Sequence, residues 1–171
     1  MTDGALHPSA ARVAEALRAR GVRGAVLEFA QPTRTAKEAA AALGCELGAI
    51  ASCLVFVLDD QPCVVITSGA HRVDTAFLAG QLGAHALRTA TAEEVRAATG
   101  QPIGGVAPVN WPGTLRVVLD RALQAHDQVW AAAGTPHAVF PTTFEELRDL
   151  TGAEVRDVAR GAATSGDATP R

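Results

Sequence analysis

The sequence predicts an α/β (α+β) fold, with a mixed, mostly antiparallel central sheet and peripheral helices. Three observations predict it. Two Val-rich apolar runs, Ile50 to Leu58 and Cys63 to Thr67, flank the turn signal Asp59-Asp60-Gln61-Pro62, which reads as a central β-hairpin. Three Thr-x-x-Glu signatures open helical stretches elsewhere. Strands and helices are interspersed, yet several strands are joined by short turns, which does not suit a regular βαβ winding.

In chain order, Ser9 to Arg20 reads as a helix, with Val13, Leu17 and alanines on one stripe and Gly21 at its C-terminal cap. Val26 to Phe29 is a short strand. Thr35-Ala-Lys-Glu38 is a capping box for an Ala-rich helix ending at Gly44. After the hairpin, Asp74 caps a helix running through Leu82 and closed by Gly83. Thr91-Ala-Glu-Glu94 opens a helix ending at Gly100. Gln101 to Trp111 is rich in Gly and Pro and excludes regular structure. Leu115 to Leu119, Val129 to Ala133 and Ala138 to Phe140 read as strands. Thr143-Phe-Glu-Glu146 opens a helix to Leu150, Gly152 ends it, and Val155 to Val158 is a short final element.

The 171 residues suit one domain, placed at residues 8–160, with a polar start and a small, polar, aperiodic tail at 161–171. Hydrophobic residues make up 48% and charged residues 19%, as in an ordinary globular chain. Aromatics are only 4%, with no Tyr, so base-stacking platforms have little to draw on. A net charge of −3 argues against a DNA-binding or membrane-surface protein. Lys37 is the only Lys. Cys45, Cys53 and Cys63 have no metal-type spacing, and an odd count without an export signal fits a reducing, cytoplasmic setting.

The loop Gly104-Gly105-Val106-Ala107-Pro108 is the most informative segment. Adjacent glycines let backbone approach a ligand and present N–H groups to a carbonyl or a developing oxyanion. The competing reading is a tight turn between a helix and a strand. No GK[ST] follows, so the loop is not a nucleotide phosphate loop. No GxSxG elbow is present. Asp120-Arg121 reads as a local ion pair or turn, and His71, His85 and His126 lack ligand spacing.

The string from Ala98 to Pro108 resembles the helix end and GxxxP loop of the YbaK/prolyl-tRNA-synthetase-associated family. Thr35 to Gly44, Ser68 to Ala84 and Trp130 to His137 resemble further family segments, in order and spacing. The resemblance covers about residues 8–158. It implies a YbaK-like fold and a trans-editing activity. The ester joining a small amino acid to the 3′ end of mischarged tRNA(Pro), or a related tRNA, would be hydrolysed without metal or cofactor. An aminoacyl-tRNA 3′ end, and possibly an aminoacyl-tRNA synthetase, are the implied partners. Gly104, Gly105, Val106, Ala107 and Pro108 inherit the loop role. Ser52 stands where the family usually carries a strand Lys. Candidates to assist it are Arg72 for a phosphate and His137 as general base. Cys53 is a neighbouring strand residue, conceivable as a nucleophile paired with His137, and Gly134 lies in the late turn. The alternative reading is a non-catalytic module that binds an aminoacyl-adenosine-like ligand.

Overall fold

A two-residue turn sets the centre of the sheet. Asp59 and Asp60 both take positive φ, 45° and 70°, matching the twist of a tight hairpin. The strands it joins, β2 (Ile50–Leu58) and β3 (Gln61–Ser68), pair antiparallel from Leu58↔Gln61 to Ala51↔Ser68. The turn is shorter than the four-residue signal predicts, because Gln61 and Pro62 already belong to β3. The Asp59 carboxylate accepts the N–H groups of His85 and Ala86 at 3.0 and 2.9 Å. These bonds anchor the hairpin tip and hold the Asp59 carboxyl below its ordinary pKa.

The computed structural model describes residues 4–160; the predicted tail at 161–171 lies outside the described residues. The remaining strands are β1 (Leu27–Glu28), β4 (Leu87–Thr89), β5 (Arg116–Asp120), β6 (Val129–Ala132), β7 (Ala138–Thr142) and β8 (Glu154–Arg156). They form one sheet ordered β1-β7-β6-β2-β3-β5-β8, with β4 beside β2. Pairing is parallel for β2–β6, β3–β5 and β5–β8. It is antiparallel for β1–β7, β2–β3, β2–β4 and β6–β7, giving the mixed, mostly antiparallel sheet the sequence predicts. β4 is absent from the sequence reading because only Leu87 of its three residues is buried.

The helices are α1 (Pro8–Ala19), α2 (Ala36–Leu43), α3 (Thr75–Gln81), α4 (Ala92–Thr99) and α5 (Phe144–Thr151). Of the three predicted capping boxes, only Thr91–Glu94 closes both ways. Thr35 accepts the Glu38 N–H, but the Glu38 carboxylate reaches one residue further back, to Arg34 N–H at 2.7 Å. Thr143 accepts the Glu146 N–H, while Glu146 accepts from the Thr142 hydroxyl.

Both sheet faces are covered. Val55, Val57, Val64, Ile66, Val117 and Leu119 enter a core that holds Leu17 of α1, Val95 of α4 and Leu147 of α5. Alternating with them, Phe56, Leu58, Cys63, Val65 and Val118 pack with Leu78 of α3.

Asp120 takes the expected turn, capping the short helical segment Arg121–Ala125, without the alternative ion pair to Arg121, whose guanidinium reaches Asp157 at 3.2 Å. Its buried carboxylate accepts Ser68 N–H (2.9 Å), the Thr67 hydroxyl (3.2 Å) and Ala122 N–H (3.0 Å), with His71 Nδ1 3.0 Å away. It ties the end of β3 to β5. Asp120→Ala strands these buried donors and should lower unfolding free energy by about 3 kcal/mol in urea titration. A loss under ~1 kcal/mol would show that the carboxylate is not the tie.

Candidate active site

β2 has unequal edges. Toward β3 it is paired along nearly its full length. On the other edge β6 pairs only Ile50 and Ala51, and β4 pairs only Phe56 to Leu58. The stretch between them has no strand beside it, and the sheet is split there. In an antiparallel ladder, successive residues turn their backbone groups to opposite edges. Ile50 C=O accepts Gly69 N–H on the β3 side, and Val55 C=O accepts Ala90 N–H on the split side. Cys53 shares the parity of Val55, so its N–H and C=O face the split.

A cavity of about 340 Å³ occupies this gap, within the ~300–1,000 Å³ range of small-molecule sites. Its walls are β2, the start of α2 with Thr33 to Ala36, the β6–β7 segment including Thr135 and Pro136, and the loop after α4. The wall is mostly apolar, and Leu54 and Ile103 stay exposed at 41% and 58%. Among the described residues no group of three or more His, Cys, Asp or Glu is placed to hold a metal ion.

The loop is held from beneath by Gln101, a buried residue. Its Oε1 accepts Ala107 N–H at 2.7 Å, and its Nε2 donates to Val109 C=O at 3.0 Å. Thr99 Oγ1 accepts Gln101 N–H, and Trp111 Nε1 donates to Ala107 C=O. Gly104 takes φ +83°, which favours Gly. Gly105 is needed for space: a Cβ there would lie 2.6 Å from the Thr135 carbonyl carbon. Two loop amides are already engaged, Gly105 N–H by Pro102 C=O and Ala107 N–H by Gln101. The N–H groups of Gly104 and Val106 have no protein acceptor among the described residues, and both residues line the cavity.

The cavity gathers four of the sequence-derived candidates: Ser52, Cys53, Gly104 and Val106. Gly105, Ala107 and Pro108 are buried behind the wall and shape it. Burial pushes the Cys53 thiol up to about 12, so although the residue is only half-buried its sulfur stays protonated near neutrality. His137 does not line the cavity. Its Nδ1 lies 3.2 Å from Phe29 C=O, and its N–H donates to Thr135 Oγ1. Arg72 is exposed in the turn after β3, away from the lining. Gly134, at φ +96°, packs on α1, where a Cβ would meet Val13 Cγ2 at 2.9 Å. The sequence reading missed Arg34, Thr135, Ile103 and Gln101. Only the buried-amide context of Gln101 beside a Gly/Pro loop carried a local signal.

Residues 30–150 match the family model described as the aminoacyl-tRNA editing domain. The chain belongs to that family. The editing domain is 46% identical to a solved structure described as a candidate trans-editing enzyme for prolyl tRNA synthetase, with a TM-score of 0.84, covering 92% of this chain and all of that one. A scaffold protein used for computational epitope grafting is 41% identical, with a TM-score of 0.84, over 91% of this chain and 99% of that one. The proline–tRNA ligase of Nitratidesulfovibrio vulgaris (strain DP4) is 34% identical over 112 residues, 65% of this chain and 19% of the ligase. The editing domain thus spans about a fifth of the length of the curated ligases it matches. Among the described residues no helix is long and apolar enough to cross a membrane.

Two outcomes follow for the editing domain's ester hydrolysis. Cys53→Ala should keep deacylation within about threefold of wild type, since a neutral thiol is a poor nucleophile; a loss beyond a hundredfold would make the sulfur a reacting group. Gln101→Leu leaves Ala107 N–H buried without an acceptor. It should lower stability by about 1–3 kcal/mol in urea titration and cut kcat more than it changes KM.

Proposed function

We propose that this chain is an aminoacyl-tRNA deacylase acting in trans. It would remove a small amino acid wrongly joined to tRNA(Pro), or to a related tRNA, and work beside a synthetase in the cytoplasm. The observation that carries the reading is the split in the sheet, where one cavity is lined both by the open edge of β2 and by Gly104 and Val106, whose N–H groups have no acceptor among the described residues. The full coverage of the candidate trans-editing enzyme supports action in trans.

The ester carbonyl oxygen lies against the Gly104 and Val106 N–H groups. A water oxygen adds to the carbonyl carbon, and the negative charge gathers on the oxygen held by those amides. The bond from the carbonyl carbon to the ribose oxygen then breaks. That oxygen takes a proton from the water, leaving a free amino acid and a tRNA ending in a hydroxyl. Among the described residues the lining holds no carboxylate and no imidazole. Rate enhancement on this reading comes from positioning and from the oriented amides rather than from a side-chain base. Ser52 offers a hydroxyl that can orient water or ribose. The small walls contributed by Ala39, Ala131 and Ala138 favour small side chains. Each added methylene shifts selection by about 1–3 kcal/mol.

The test is deacylation of tRNA(Pro) carrying Ala, Cys, Ser or Pro, by wild type and Gly105→Val. Wild type should clear at least one small amino acid, and the variant, whose side chain collides with the Thr135 backbone, should lose at least a hundredfold. If wild type clears none yet binds a non-hydrolysable aminoacyl-adenosine, the neutral Ser52 marks a binding module instead.

A further inference from the structure

Among the described residues, Arg34 is the one charged residue that lines the cavity. Every lining residue is apolar, glycine, hydroxyl-bearing or the neutral thiol of Cys53, except Arg34. Arg34 is exposed, and no carboxylate pairs with its guanidinium among the described residues. The nearest acid along the chain is committed elsewhere: Glu38 accepts the Arg34 backbone N–H and faces the helix start. The chain as a whole is acidic. An arginine without an ion-pair partner among the described residues, at the edge of a mostly apolar lining, therefore stands out against its surroundings.

The interior suits an uncharged group. An aminoacyl ester and its ribose are free of negative charge; the first anion met on moving outward is the phosphate on the ribose 5′ oxygen. Arg34 lies beside the loop: a Cβ on Gly104 would sit 3.9 Å from the Arg34 C=O. On the proposed reading, a long side chain rooted beside the loop is within reach of the phosphate next to the ester-bearing ribose. A guanidinium suits this role, because its planar fork of donors matches phosphate oxygens. We propose that Arg34 binds the phosphate of the terminal nucleotide at the mouth of the cavity.

This assignment rests on reading the cavity as an aminoacyl-adenosine site, and the test separates the two. Two non-hydrolysable probes are used, 3′-alanylamido-adenosine with and without a 5′ phosphate. Each is titrated by calorimetry against wild type, Arg34→Ala and Arg34→Lys. Wild type should bind the phosphorylated probe about tenfold more tightly, Arg34→Ala should show no such gain, and Arg34→Lys should show part of it. All three proteins should bind the unphosphorylated probe equally. In deacylation, Arg34→Ala should raise KM about tenfold and leave kcat within twofold. A phosphate gain kept by Arg34→Ala, or absent from wild type, overturns the assignment while the cavity reading stands. Failure of wild type to bind either probe overturns the cavity reading, and Arg34 with it.

Discussion

The architecture depends on one strand being paired unequally on its two edges. β2 is tied to β3 along nearly all of its length, and most of that ladder, apart from residues 52–54 of β2 at the cavity, is buried. On its other edge, β6 and β4 take only its two ends. An unpaired stretch of central strand would be costly if buried dry, because its N–H and C=O groups want partners. Here those groups open onto a cavity. The site is a gap that the sheet's own topology leaves, with a parallel neighbour diverging on one side and a three-residue strand stopping short on the other.

The second wall answers a different constraint. The loop from Gly100 to Trp111 has no ladder to hold it, so its shape comes from side chains. Gln101 takes one amide of the loop and one carbonyl beyond it, Trp111 takes a second carbonyl, and Gly105 removes the Cβ that would keep the loop off Thr135. The same contacts that fix the loop decide which of its amides stay without a protein acceptor among the described residues. Gly105 and Ala107 are engaged internally, and Gly104 and Val106 are left over.

Much of the fold was legible because it is locally encoded. The β2–β3 hairpin follows from two apolar runs about an Asp-Asp turn, and the Thr residues at positions 35, 91 and 143 cap helices where the spacing places them. The return of Glu38 and Glu146 was less legible, since each carboxylate had a competing donor one residue away. The site was half legible. The glycine loop and the β2 residues at 52 and 53 meet, as the family-like strings imply. The direction of the His137 ring depends on Phe29, 108 residues earlier, and Arg34 gains its meaning from walls distant in sequence. The buried role of Asp120 is likewise invisible locally, because Ser68 of β3 and His71 in the segment after it reach it from 52 and 49 residues away in sequence.

The Gln101 clamp has a consequence for how tightly substrate is held. Fixing the backbone of a free loop costs about 1–2 kcal/mol per residue, and a site that ordered its loop only on binding would lose that much affinity each time. With Gln101, Thr99 and Trp111 in place, the loop is ordered during folding instead. On the proposed reading, the amides at Gly104 and Val106 are preorganised before any ester arrives, and little of the binding free energy is lost to ordering them.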